Sequence, residues 1–165
     1  PIFRANGVVL YTDKANAEAI GQHNDLPGYL RGHLGRAKAG DYVALLAYIE
    51  RNHQHTDALQ TIRTKIRDKT REATCLGFGP RFLHSTGQAY KGGPNSGVFM
   101  QITCDDPADL DVPGQKYTFG VVKAAQALGD LDVLFERKRR ALRVHLQQVD
   151  TGLAELARAV DQALS

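Results

Sequence analysis

Cysteine is scarce in this chain. Only Cys75 and Cys104 occur, each inside an apolar, strand-like run, with no CxxC pair and no Cys/His cluster. A disulfide framework is therefore not expected, and two buried, reduced thiols in a cytosolic protein are. Long apolar runs are lacking as well: no stretch approaches the roughly 20 residues of a membrane span, and the opening PIFRANG has no basic-then-apolar signal pattern. The sequence reads as soluble and cytoplasmic, without a membrane partner. Nor is there a basic stripe. The formal charge is only +3, and Lys and Arg are interleaved with Asp and Glu along helix-like segments, so no nucleic-acid partner is expected. Internal repeats and low-complexity segments are absent. The chain opens on Pro1 rather than Met, which leads us to expect a domain of something longer.

What is present suits one globular domain: 165 residues, 42% hydrophobic and 24% charged, enough to bury a real core. GVVLY at 7–11 reads as a short strand, followed by a helix from Lys14 to about Gln22 capped by Thr12 or Asp13. Pro27 and Gly28 punctuate, and a second helix fits Tyr29 to Lys38, closed by Gly40. The almost wholly apolar run from Tyr42 to Ile49 suits a central strand covered on both faces.

Thr56 or Asp57 can cap a helix to about Arg71, with Leu59, Ile62 and Ile66 inward and the positive run at Arg63, Lys65, Arg67 and Lys69 in water. Strands follow at Ala73 to Phe78 and Gly97 to Cys104, separated by a polar stretch in which Ser85 to Tyr90 can open a short helix. Residues 105–116, with Pro107, Pro113 and Gly114, form an acidic loop. Two helices are expected next, Thr118 to Leu128 and Asp130 to Arg139, then a strand from Ala141 to Leu146 and a final helix from Thr151 to Leu164. Strands alternating with helices predict a three-layer α/β/α sandwich around a mostly parallel sheet.

In such folds ligands bind beyond the carboxyl ends of the strands. Three positions meet that description and are expected to share one cleft: Glu50, the segment His84 to Gln88, and the helix opening around Thr118 to Lys123. The organising stretch is 74–104. Six of the sixteen glycines fall between Gly77 and Gly97, together with His84, Ser85, Thr86, Gln88, Lys91 and Asn95, all able to hydrogen-bond a polyhydroxy ligand. His53 and His55 have a metal-like spacing but no third ligand, and are read as solvated. His23, His33 and His145 belong to no constellation.

The run GPRFLHSTGQAYKGGPNSG, with DYVALLAYI upstream and YTFGVVKAAQALGD downstream, resembles phosphoglucose isomerase, most of all the isomerase part of bacterial transaldolase/phosphoglucose isomerase fusions. The likeness is carried by residues 41–146. It implies a sugar-isomerase (SIS) domain of flavodoxin type, the second of two in its polypeptide. It also implies interconversion of glucose 6-phosphate and fructose 6-phosphate without a metal or other cofactor. The implied partners are a sugar-phosphate substrate, an N-terminal SIS domain, a transaldolase domain and a second subunit.

On this resemblance His84 opens the sugar ring. Glu50, at the end of a buried strand, shuttles the proton between C1 and C2, with Glu72 as a competing acid, and Lys123 stabilises the enediolate. Arg81, Ser85, Thr86, Gln88 and Lys91 would bind substrate. The family's usual Glu-containing sequence after the strand is not reproduced by IERNHQHT, and its Gln-x-Gly-x-Glu-x-x-Lys pattern is absent. The alternative is a non-catalytic sugar-phosphate-binding module with a sensing or assembly role.

Overall fold

The computed structural model describes residues 1–165. Six strands form one sheet in the order β1-β2-β6-β5-β3-β4, namely β1 (Phe3–Ala5), β2 (Val8–Tyr11), β3 (Tyr42–Tyr48), β4 (Ala73–Phe78), β5 (Gly97–Cys104) and β6 (Arg140–Leu146). Pairings β3·β4, β3·β5 and β5·β6 are parallel, while β2 runs antiparallel to both β1 and β6. The four parallel strands thus follow the flavodoxin order. Its topological switch point lies between β3 and β5.

One face of the sheet carries α1 (Lys14–Ile20), α2 (Leu26–Leu34), α3 (His53–Thr70) and α6 (Val149–Ala163). The other carries a 3-10 turn (Arg81–His84), α4 (Thr86–Gly92) and α5 (Phe119–Glu136). The expected three-layer α/β/α sandwich is what forms.

β3 shows why an unbroken apolar run was needed. Val43, Leu45, Ala47 and Ile49 point into the core under α2, α3 and α6, whereas Ala44, Leu46 and Tyr48 point into the smaller core under α4 and α5. A strand covered on both faces cannot alternate polar and apolar residues.

Several boundaries differ from expectation, each for a local reason. Asn6 and Gly7 both take positive φ, 50° and 74°, the geometry of a two-residue hairpin turn that Asn-Gly favours; hence the extra strand β1. α3 starts at His53 because the Asn52 side chain accepts from the His55 amide at 2.8 Å, so Thr56 and Asp57 are not caps. Asp25 caps α2 on Gly28 N at 2.8 Å, which places Pro27 in the first turn, where its missing N–H costs nothing. α6 begins at Val149, before Thr151. The two helices expected at 118–139 are one. An exposed Gly129 weakens α5 by about 1 kcal/mol, but Ala127, Leu131 and Leu134 packed against the sheet hold it through.

Candidate functional site

Register decides what lies at the carboxyl edge. On the α5 face of the sheet, Gln101 stands opposite Arg143 and Thr103 opposite His145, with Tyr48 beside Thr103 on β3. Leu142, Val144 and Leu146, alternating with Arg143 and His145, enter the other core. Pairing β5 with β6 therefore gathers polar side chains from two separate, mostly apolar segments into one row.

Above that row is a cavity of about 460 Å³, roofed by the N-terminal half of α5 and walled by the acidic loop. That volume falls in the range of small-molecule sites. Its floor is Tyr48, Thr103, Arg143 and His145, and its rim carries Lys123 and Asp105.

His145 sits between two partners. Its Nδ1 is 2.9 Å from Thr103 Oγ1 and its Nε2 is 3.2 Å from Asp105 Oδ1. A carboxylate can only accept, so in the neutral imidazole Nε2 carries the proton and Nδ1 accepts from the Thr103 hydroxyl. Hydroxyl, imidazole and carboxylate form a chain from the cavity floor to solvent, where Asp105 is two-thirds exposed. Arg143 Nε donates to Gln101 Oε1 at 2.7 Å, and Gln101 in turn donates to the Ala127 carbonyl of α5 at 2.9 Å. Burial lowers the Arg143 pKa. The Tyr48 hydroxyl is buried beside the Asp130 carboxylate, in a residue only 1% exposed; burial first and that carboxylate second push its pKa upward.

At the rim, Lys123 is ion-paired with Asp106. Hydrogen bonds from the Thr118 hydroxyl and the Gly120 amide hold the Asp109 carboxyl below the usual carboxylate range. The Cys104 thiol is pushed up to about 11 by burial, against the pull of Lys123.

Of the residues expected from the sequence, only Lys123 lines this cavity. Glu50 is at the carboxyl end of β3 but exposed, its Oε2 3.5 Å from Asn52 Nδ2, so its expected place in a shared cleft is corrected. Arg81, His84, Ser85, Thr86 and Gln88 follow β4 on the same edge of the sheet and are exposed. Gln88 is committed to the Leu83 carbonyl at 3.0 Å. Lys91 turns inward, 2.7 Å from the buried Asp130, and braces α4 against α5. The three regions expected in one cleft therefore share an edge but not a cavity. Glu72 lies before β4, at the opposite end of that strand.

Three other expectations are revised. His55 is buried, not solvated: its Nδ1 is 2.8 Å from the Glu50 carbonyl and its Nε2 3.2 Å from Asp150, which ties the start of α3 to the start of α6. His145, which looked isolated, belongs to the cavity. Cys75 and Cys104 are free, as expected, but half-buried. No group of His, Cys, Asp or Glu is arranged to hold a metal ion, and no helix is long and apolar enough to cross a membrane.

No protein-family model and no curated protein sequence matches the chain. Among solved structures, the fold is similar to that of a hypothetical protein from Thermus thermophilus, with a TM-score of 0.68 and 17% sequence identity over 84% of this chain. The chain spans only 39% of that protein. At this identity the likeness is one of fold: a mostly parallel α/β/α sandwich.

Proposed function

We propose that this chain is a SIS-type domain of a cytoplasmic glucose-6-phosphate isomerase, acting with a preceding SIS domain and a second subunit. The observation that carries the reading is the position of Lys123. It lies in a cavity of small-molecule size above β5 and β6, at the carboxyl edge of a flavodoxin-type sheet where such folds bind ligands. An ammonium there meets the need of an enediolate for a nearby positive charge.

His84, Ser85 and Thr86 stand exposed on the same edge, in keeping with a segment that reaches a site completed elsewhere. Beside the cavity α5 exposes Val121 and Leu128, seven residues apart on one face of the helix and each more than half accessible. That apolar face suits contact with the preceding SIS domain of the same polypeptide. A transaldolase domain further upstream is part of the same proposal.

The exposure of Glu50 favours a second reading, a sugar-phosphate-binding module without catalysis, because that carboxylate does not line the cavity in which a substrate would sit. The test is a coupled assay of glucose 6-phosphate formation from fructose 6-phosphate by the full gene product, its His84→Ala and its Lys123→Met. Turnover that drops at least about 100-fold in both variants supports the isomerase. Fructose 6-phosphate binding with no turnover, indifferent to both substitutions, makes the module the better account.

A further inference from the structure

Aldose–ketose interconversion moves two protons. The carbon-bound one passes from C2 to C1, and an oxygen-bound one passes from the C2 hydroxyl to O1 as carbonyl and hydroxyl exchange places. Of the residues expected to act, only Lys123 lines the cavity, and the second transfer has no residue among them.

We propose that the cavity takes the hydroxyl chain of a sugar, and that Thr103, His145 and Asp105 relay its hydroxyl proton. The inference rests on the isomerase reading for its reaction, and on the cavity for its site. Thr103 is the member that meets the ligand, since it lines the cavity beside His145. In the forward step the O2–H bond breaks as Thr103 Oγ1 takes that proton and hands its own to Nδ1 of His145. The imidazolium is held by Asp105 at Nε2. In the return step Nδ1 gives the proton back through Thr103 to O1, so no proton is gained or lost over the cycle and no further reactant is needed. Once His145 is charged, Nδ1–H donates to Thr103 Oγ1 and frees the threonine proton to face the ligand.

The lining also argues for which part of a sugar phosphate enters. Asp105, Asp106 and Asp109 ring the mouth and repel a phosphate dianion, while carboxylates accept readily from sugar hydroxyls. Lys123 and Arg143 are the cations of the lining, and Lys123 is already paired with Asp106. The polyol end therefore fits and the phosphate stays outside.

The groups facing His145 are few. Tyr11 comes from β2, its ring centroid 6.4 Å away and edge-on. Asp105, Asp106 and Asp109 follow β5, Lys123 comes from α5, and Tyr48, Cys104 and Arg143 complete the charged or titratable lining.

The experiment is ¹⁵N NMR of the histidines in the full chain, titrated with fructose 6-phosphate and separately with inorganic phosphate, beside pH profiles of wild type, His145→Gln and Thr103→Val. We expect fructose 6-phosphate to shift the His145 nitrogens and phosphate alone to leave them unmoved. His145→Gln should lower kcat about 100-fold with KM little changed and alter the shape of the profile. Thr103→Val should abolish the ligand-induced shift. Because the titration uses wild type, a variant that folds poorly does not spare the idea. A His145 that ignores saturating fructose 6-phosphate, or responds to phosphate alone, overturns it. Shifts without turnover would sink the isomerase reading and leave the site standing. Turnover with an unmoved His145 and an unaltered His145→Gln profile would do the reverse.

Discussion

The Lys91 ammonium lies 2.7 Å from Oδ1 of Asp130, whose side chain is 2% exposed in the middle of α5. This pair joins α4 to α5 across the smaller core, and it takes from substrate binding a lysine whose sequence context pointed outward. Its two ends are unequal, since the Lys91 side chain keeps 22% exposure. Lys91→Met strands a buried carboxylate and should cost about 3 kcal/mol. Asp130→Asn leaves a lysine able to swing to water and should cost about 1 kcal/mol. Urea unfolding of both variants checks the order; a larger loss for Asp130→Asn would contradict it.

His33 is fully buried, its Nε2 2.9 Å from the Phe99 carbonyl. Burial lowers its pKa from 6.5 to about 3. Between those values the unfolded chain binds a proton that the folded chain does not, so stability falls as pH falls. The slope is about 1.4 kcal/mol per unit in that window, with no contribution above it. His33→Gln removes the titrating group while keeping a donor for Phe99. From pH 7 to 5 the wild type should lose about 2 kcal/mol more than the variant, as read by urea unfolding at the two pH values. Equal losses would show that His33 is not a source of the acid sensitivity.

Gly79 follows β4 where a side chain has no room. A methyl there would stand 2.5 Å from two carbons of the Tyr48 ring. That ring is 1% exposed and packed edge-on to Phe82, with centroids 5.5 Å apart. Gly79→Ala should cost about 1 to 3 kcal/mol by overpacking and displace the Tyr48 ring beneath the cavity. Thermal melting measures the first effect, and weakened fructose 6-phosphate binding the second.

The raised pKa of Cys104, about 11, makes its thiolate rare at pH 8. A free cysteine near 8.5 is roughly a quarter thiolate there. In a Cys75→Ala background, iodoacetamide should modify Cys104 about 100-fold more slowly than a free thiol, and the rate should climb tenfold per pH unit up to about pH 10. Lys123→Met removes the charge that opposes this shift and should slow labelling further. Labelling as fast as glutathione would contradict the burial of the sulfur.

The layers of the fold were legible because period and length carry them. The run from Tyr42 to Ile49 suited a strand with two covered faces, and the spacing of Leu59, Ile62 and Ile66 suited one helix face. Boundaries failed where one side chain outvotes the pattern. Asn52 starts α3 earlier than Thr56 would, and the core contacts of Ala127 and Leu131 carry α5 across Gly129.

The site was legible only where a motif marks it. Lys123 was found through YTFGVVK, but nothing near ALRVHL distinguishes His145 from a histidine at the end of any strand. Its partners, Thr103 and Asp105, lie about 40 residues earlier and meet it through the β5·β6 register, shown by Thr103 opposite His145. The same holds for His55, which reads as half of a solvated pair until Asp150 arrives from α6.

Apolar period, cap residues and the Asn6-Gly7 turn are local, because each acts over a few residues of backbone. They were enough to make this chain an α/β/α sandwich with its loops at the carboxyl edge. Which polar groups face one another there is a non-local outcome of strand order and register. A one-residue slip of β6 against β5 would send Arg143 and His145 into the opposite core. The burial of the apolar residues between them forbids that slip, and so it is core packing that assembles the cavity.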